Sequence, residues 1–600
     1  MIGNRLREIL SIKKPNSIFI YAVIVGIIAG IVSAIFAWLL HVLEVFYLSF
    51  HQHQSILFTN YNERIVFLIS HPFSSLAVVL LPVFGGLVAG LIIYFFSKDS
   101  KGTGSDEMIY AFHNNEGKIK TSIPIFKSLA TLFTLPTGGS GGKEGPISFI
   151  GAGVGVWVAN IVKSGARARR TLMLAGTAAG LGSVFKTPLG GALTAAEMVY
   201  KEDIETDALI PCFISSVTAY LVYTLYAGTD PFLSVSGLSK FNFDEILFYL
   251  ILGVLCFSFG FLFIKGFNDA KSFIGKIKIP NYVKPAIGGL LTGLIALFVF
   301  EIAGTGNYFF ETTIQGKMPD FFGNNIWFEL LLSFLIIAFL KIVATTLTIG
   351  SGGSAGIFGP SLFIGAMLGA SVGVAANHFL NHPVSIVSFM IVGMGAFYSG
   401  VANAPIAGII MIVEMTGSYV LLPPLIIVSI FTFILSKRIS FYKNQVENRF
   451  KSPAHSWEMK SDIIDQILLK NHFPEYRLLA VVNINDKLGE VLNLSAEIHA
   501  SDFVVVNKEL KYEGIFSLRS KDFDLANTPS NIDLSIKEFV DYSVPCVNPN
   551  EKLSKALDII MRFDIDKVAV SENGSTLGYI RSKDIFEAYT TQLNSKKDNS

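Results

Sequence analysis

The chain predicts an all-α polytopic membrane domain built on an internal repeat, followed by a small soluble α/β domain. Three observations carry that prediction. Of its 600 residues 51% are hydrophobic and only 16% charged, with a mean hydropathy of +0.53, which is the composition of a chain solvated by lipid. The charged side chains crowd into residues 451–600. Glycine-rich and proline-bearing motifs recur, in the same order, in the two halves of the apolar part.

Taken in order, the opening MIGNRLREILSIKK is basic, and the uncharged run behind it, 17–43, is too long for a signal-peptide core and long enough to span a bilayer. The polar tract 51–64 reads as an external or interfacial loop. Its His51 and His53 have no further ligand spaced nearby, so no metal site is expected. Uncharged runs at 72–97, 246–264, 285–300, 383–413 and 419–436 supply further membrane segments. Between them, 147–162, 171–196 and 356–380 are apolar but broken by Gly and Pro, which predicts short helices facing protein or a water-filled cavity. Basic clusters at Arg5, Arg7, Lys13 and Lys14, at Lys163, Arg167, Arg169 and Arg170, and at Lys437, Arg438 and Lys443 mark cytoplasmic ends, so both termini are expected in the cytoplasm. The expected domains are a cytoplasmic segment 1–16, a membrane domain 17–450 and a cytoplasmic domain 451–600.

Net charge is +1 and no basic domain stands out, which argues against a nucleic-acid partner. Cys212, Cys256 and Cys546 are scattered and give no disulfide framework. Paired acids, a nucleophile with its base and His/Cys clusters are all missing at useful spacing, so an enzyme is not expected.

The stretch 137–155, TGGSGGKEGPISFIGAGVG, organises the rest. It reads as a glycine loop feeding a helix N-terminus, with Pro146 suited to the first turn. Such a terminus carries unpaired N–H groups and partial positive charge, and Glu144 is the anion that the chain itself supplies to it. A nucleotide-binding loop is rejected by spacing, because its required Gly and Ser/Thr positions hold Thr137 and Glu144. GSGG recurs at 139–142 and 350–353, and GPxxFIGA at 145–152 and 359–366. TPLGGALTAAEM at 187–198 parallels APIAGIIMIVEM at 404–415, which favours a packing or hydrogen-bonding role for the matched Glu197 and Glu414. Two loops are therefore expected to converge on one anion.

These motifs resemble the ClC family of chloride channels and proton/chloride exchangers: GKEGP at 142–146, GIFGP at 356–360, and KGTGSDE at 101–107 where GSGIPE usually stands. The resemblance implies an inverted-repeat membrane fold and a homodimer with one anion pathway per subunit. It makes Glu144 the external gate that competes with chloride. Thr103, Tyr442 and the backbone N–H groups of Ile357 and Phe358 become chloride donors. Gly142, Lys143, Gly145 and Pro146, with Gly356, Gly359 and Pro360, become the selectivity loops.

Where exchangers of the family commonly carry an internal proton-passing glutamate, this chain has Met198, whose thioether holds no proton. That favours a voltage- or pH-gated chloride channel over a proton-coupled chloride antiporter, and both over a membrane-anchored sensor. Chloride, with nitrate as another monovalent anion, is the expected substrate, and protons join it if the chain is an exchanger. The intact GKEGP disfavours fluoride. The chain is expected to be a multi-pass protein of the cell or inner membrane, in contact with lipid.

The tail from 547 to 589 alternates helix, strand, Asn573-Gly574 turn, strand and helix and resembles a CBS motif, with a degenerate first copy around 478–523. Paired copies in this family are regulatory and some bind an adenine nucleotide. Arg581 replaces the usual Ser or Thr three residues before Asp584, which favours a structural tail that pairs subunits. No other cofactor is expected.

Overall fold

The computed structural model describes residues 17–49, 66, 68–97, 103–235, 237–239, 241–315, 326–437, 439–455, 467–472, 476–519 and 533–598. The expected N-terminal segment 1–16, His51, His53 and Arg438 lie outside the described residues. The chain divides at Arg449 into two compact units.

The first unit is helical. It runs through α1 (Ser17–Ser49), α2 (Pro72–Phe96), α3 (Ser105–Asn114), α4 (Ser122–Thr134), α5 (Glu144–Ile161), α6 (Ala166–Val184), α7 (Pro188–Glu197) and α8 (Thr206–Ala227). It continues through α9 (Ile246–Lys276), α10 (Lys284–Phe298), α11 (Asn307–Ile314), α12 (Trp327–Gly350), α13 (Phe358–Phe379), α14 (Ile386–Ala402), α15 (Pro405–Thr416) and α16 (Leu422–Ser436). Six helices among the described residues are long and apolar enough to cross a membrane. On α1 the exposed residues Ile27, Ile31, Ile35, Trp38 and Val42 form one stripe at helical spacing, the face such a helix turns to lipid.

The run 383–413, read from sequence as a single segment, is two helices. Asn403 closes α14 at φ 54, and Pro405, which has no N–H to give, starts α15. The earlier half does the same at Pro188, between α6 and α7. Each half thus carries a long helix pair followed by a short proline-started helix, and both pairs cross on glycine. A Cβ on Gly151 would stand 2.0 Å from the Gly176 carbonyl, and one on Gly365 would stand 2.2 Å from that of Gly393. That contact lets the backbones of α5 and α6, and of α13 and α14, touch directly.

The second unit holds a four-stranded sheet, β1 (Val481–Asn483), β2 (Asp502–Val506), β3 (Tyr512–Ser517) and β4 (Val540–Asp541) in that order, with β1 parallel and the rest antiparallel. A hairpin of β5 (Lys567–Glu572) and β6 (Ser575–Arg581) turns on Asn573 and Gly574, both at positive φ, the conformation a two-residue hairpin loop requires. Helix, strand, strand occurs twice: α18 (Leu488–Ile498) before β2 and β3, and α19 (Leu553–Phe563) before β5 and β6, after the short α17 (Leu469–His472). The last helix, α20 (Ser582–Asp598), follows β6. On α19 the buried Leu553, Ala556, Ile559 and Ile560 share one face and enter the same core as Phe503, Val568 and Ile580.

Candidate functional site

Three chain segments meet at the start of α5. A Cβ on Gly145 would lie 2.3 Å from the Thr103 carbonyl and 2.9 Å from Gly356 Cα, so only glycine lets the loop before α3, the first turn of α5 and the loop before α13 come this close. The two repeat loops are also paired directly: the Gly142 N–H donates to the Gly356 carbonyl at 2.9 Å and the Gly356 N–H to the Gly142 carbonyl at 2.7 Å. Hydroxyls hold them from behind, Ser140 to Thr345 and Thr131 to Ser354, each at 2.9 Å.

Glu144 is the first residue of α5 and Phe358 the first of α13, so they are repeat counterparts, with Pro146 and Pro360 two residues further on. The Glu144 carboxylate crosses to the other repeat. The Gly359 N–H donates to its Oε1 at 2.8 Å, with the Phe358 amide close by. Its Oε2 is buried without a partner in the described residues. An anionic side chain thus sits where a helix N-terminus attracts negative charge. Gly359 is packed against both, since a Cβ there would be 3.3 Å from Gly142 Cα and 3.4 Å from Glu144 Oε2.

A cavity of about 30 Å³, room for one water, adjoins Glu144 and is lined by Lys143, Phe185, Phe232 and Thr305 among others. The Lys143 ammonium stands over the Phe185 and Phe232 rings at 5.9 and 5.3 Å, with Glu44 and Glu311 within electrostatic reach. A second buried cation, Lys341 on α12, donates to the Ile302 and Gly304 carbonyls at 2.9 and 3.0 Å and feels the Glu144 charge.

Thr103 is buried, and its hydroxyl has no hydrogen-bond partner among the described residues. Tyr442 is also buried and reaches the same region, held by Asn444, whose backbone and side-chain N–H groups bind Asp106 at 3.1 and 2.9 Å. Its phenol lies near Ser105, two residues on from Thr103, and Ser105 contacts Ser148 of α5 at 3.3 Å. The start of α3 is fixed by Glu107, which accepts from the Gly104 N–H at 2.7 Å and pairs with the buried Lys127 at 2.5 Å.

Ile357 and Phe358 begin α13, and the Phe358 ring packs on Phe185 at 5.0 Å and on Tyr398 at 4.6 Å. Sequence reasoning missed Tyr398, a phenol inside an apolar run, near Thr194 and within electrostatic reach of Glu144, Glu197 and Tyr442. Its one signal is being a polar group at membrane depth. Met198 caps α7 and is buried, its carbonyl accepting from Gln445 at 2.9 Å.

The family described as voltage gated chloride channel matches residues 85–437, and the CBS domain matches 536–591. A putative chloride channel protein ClcB-like from Ralstonia nicotianae is 29% identical over 366 residues, 60% of this chain and 82% of that one. The H(+)/Cl(-) exchange transporter ClcA of Yersinia pestis is 27% identical over 444 residues, 71% of this chain and 86% of that one. The crystal structure of a slow cyanobacterial Cl-/H+ antiporter superposes with a TM-score of 0.60 at 20% identity, covering 70% of this chain and 94% of its own.

Proposed function

The chain belongs to the voltage gated chloride channel family, a multi-pass membrane protein of CLC-type chloride transport, and from that premise we propose that it exchanges chloride for protons through the site at Glu144. One observation carries the reading: the Glu144 carboxylate rests on the Gly359 amide at the head of α13, where a dissolved anion would bind. Chloride and carboxylate compete for those donors. Protonation removes the charge, the neutral side chain loses its attraction to the helix end, and the amides of Ile357, Phe358 and Gly359 pass to the halide. Thr103 supplies a hydroxyl to the ion from the α3 side and Tyr442 a phenol. Lys143 offsets the charge of the ion at the outer cavity. Gly142, Gly145 and Gly356 let the donors approach closely, while Pro146 and Pro360 start the helices that carry the field.

Exchange is favoured over passive conduction by relatives named as exchangers across most of the membrane unit. A chloride channel is the second reading, favoured by Met198, where a buried thioether stands in place of an acid. We further propose that both termini face the cytoplasm, that the chain is a homodimer, and that a degenerate CBS copy at 478–523 pairs with the one at the C-terminus. Asp584 is already engaged by Arg581 at 2.9 Å and Arg477 at 3.2 Å, which favours a structural tail over an adenine-nucleotide site.

The test is purified protein in liposomes under a chloride gradient, with internal pH recorded. Uphill proton movement at a fixed ratio to chloride supports exchange. Chloride flux with no proton movement defeats exchange and leaves the channel, and failure of chloride to move removes both.

A further inference from the structure

A cavity of about 560 Å³, a volume typical of small-molecule sites, lies away from Glu144, among α2, α9, α10 and the end of α12. Its described lining holds two lysines, Lys271 and Lys284, and no acid, with the Asp106 carboxylate outside the wall but within electrostatic reach of Lys271. Lys284 is buried and its Nζ donates to the Gly275 carbonyl at 3.2 Å, so the second cation is fixed in the wall. Ile93, Phe267, Ile274, Pro285 and Ile349 give the wall an apolar side, beside the polar Asn281 and Ser351.

The surroundings give the level at which this cavity opens. Phe95, Phe96 and Phe273 are largely exposed, and Leu290 and Leu294 on α10 partly so, a surface that water alone does not favour. The stretch from Lys271 to Lys284 also carries Lys276 and Lys278. Tyr94, which lines the cavity, meets Tyr282 with ring centroids 5.5 Å apart. Exposed apolar side chains, a tyrosine pair and several lysines together are the mixture found where hydrocarbon meets headgroups.

We propose that this cavity binds an anionic phospholipid, its phosphate held by Lys271 and Lys284 and an acyl chain laid along Ile93, Phe267 and Ile274. Basic hollows between membrane helices take anionic headgroups for this electrostatic reason, and a soluble anion would leave the apolar wall uncovered. The occupant also touches the transport site's support. Ser351, Gly352 and Gly353 line the cavity, with Gly352 at φ 108, and three residues on Gly356 pairs with Gly142. A bound lipid braces that turn, and its loss slows transport.

The experiment is native mass spectrometry of the full-length protein in detergent with phosphatidylglycerol, with phosphatidylcholine of the same chains, and with inorganic phosphate. Preferential retention of phosphatidylglycerol is expected, reduced about fivefold by Lys271→Gln. Ile93→Trp, which fills the apolar wall and leaves both lysines, should also lower it, with unchanged melting temperatures showing that both variants fold. Equal retention of the two lipids, or wild-type retention by both variants, overturns the proposal. Displacement of the lipid by millimolar phosphate, or loss in Lys271→Gln alone, marks a site for free anions and overturns it too.

Discussion

Glu197 and Glu414 close each other's helices. The Glu197 carboxylate, at the end of α7, accepts from the Ile406 and Ala407 N–H groups at 3.2 and 2.7 Å, at the start of α15. Glu414, near the end of α15, accepts from Leu189 and Gly190 at 3.1 and 2.7 Å, at the start of α7. Each carboxylate satisfies two orphan donors and meets a positive helix end. Replacing either by Ala should lower stability by about 2 kcal/mol, read as an earlier detergent-solubilised melt, with replacement by Gln recovering part of it.

Glu144→Gln keeps the shape of the side chain and removes its charge and its proton. Proton movement in liposomes should fall about tenfold or more, while chloride flux continues and loses its response to pH. Wild-type pH dependence in this variant would remove Glu144 from the gate.

Thr103 isolates the hydroxyl donor. Thr103→Val deletes the only polar group of the side chain and should weaken chloride binding about fivefold to tenfold by calorimetry, whereas Thr103→Ser should bind as the wild type does.

In the second unit, burial alone would raise the Asp584 carboxyl, but hydrogen bonds from the Arg581 side chain and backbone and from Arg477 outweigh it and hold it below the usual carboxylate range. A lowered folded value means that the contribution to stability is full above the ordinary value of about 4 and is lost as pH falls through the lower one. The melting difference between wild type and Asp584→Asn should therefore be constant near neutrality and shrink below about pH 4. A difference that grows on acidification would contradict this pairing.

Gly365→Val puts a side chain against the Gly393 carbonyl, where even a Cβ would stand at 2.2 Å, and should cost more than about 3 kcal/mol and abolish the monodisperse peak in size exclusion. Gly165→Ala, with open space around it and an ordinary φ of −68, should change stability by less than about 0.5 kcal/mol.

The loops, the start of α5 at Glu144 and the pairing of the two halves were legible because each is written locally, in Gly and Pro positions that force a conformation. The helix–strand–turn–strand–helix order of the C-terminal stretch was legible for the same reason, through Asn573-Gly574 and the spacing of Leu553, Ala556 and Ile560. What was not legible is contact over distance. Glu197 and Glu414 read as matched acids suited to hydrogen bonding, yet their partners 209 and 225 residues away follow only from the fold. Tyr398 carried no motif, and Lys341 reads as one charge in an apolar run until the Ile302 and Gly304 carbonyls are brought to it. The uncharged run 383–413 misled because hydropathy ignores the missing N–H of Pro405.

The paired amides of Gly142 and Gly356 tie the two repeats together two residues before Glu144 and three before Gly359, the amide that holds its carboxylate. Parting the halves to let an ion through would break both bonds among buried groups, at a cost in unpaired donors and acceptors. On the proposed function, the passage would then keep its width while a single carboxylate moves, and each turnover would cost the swing of one side chain.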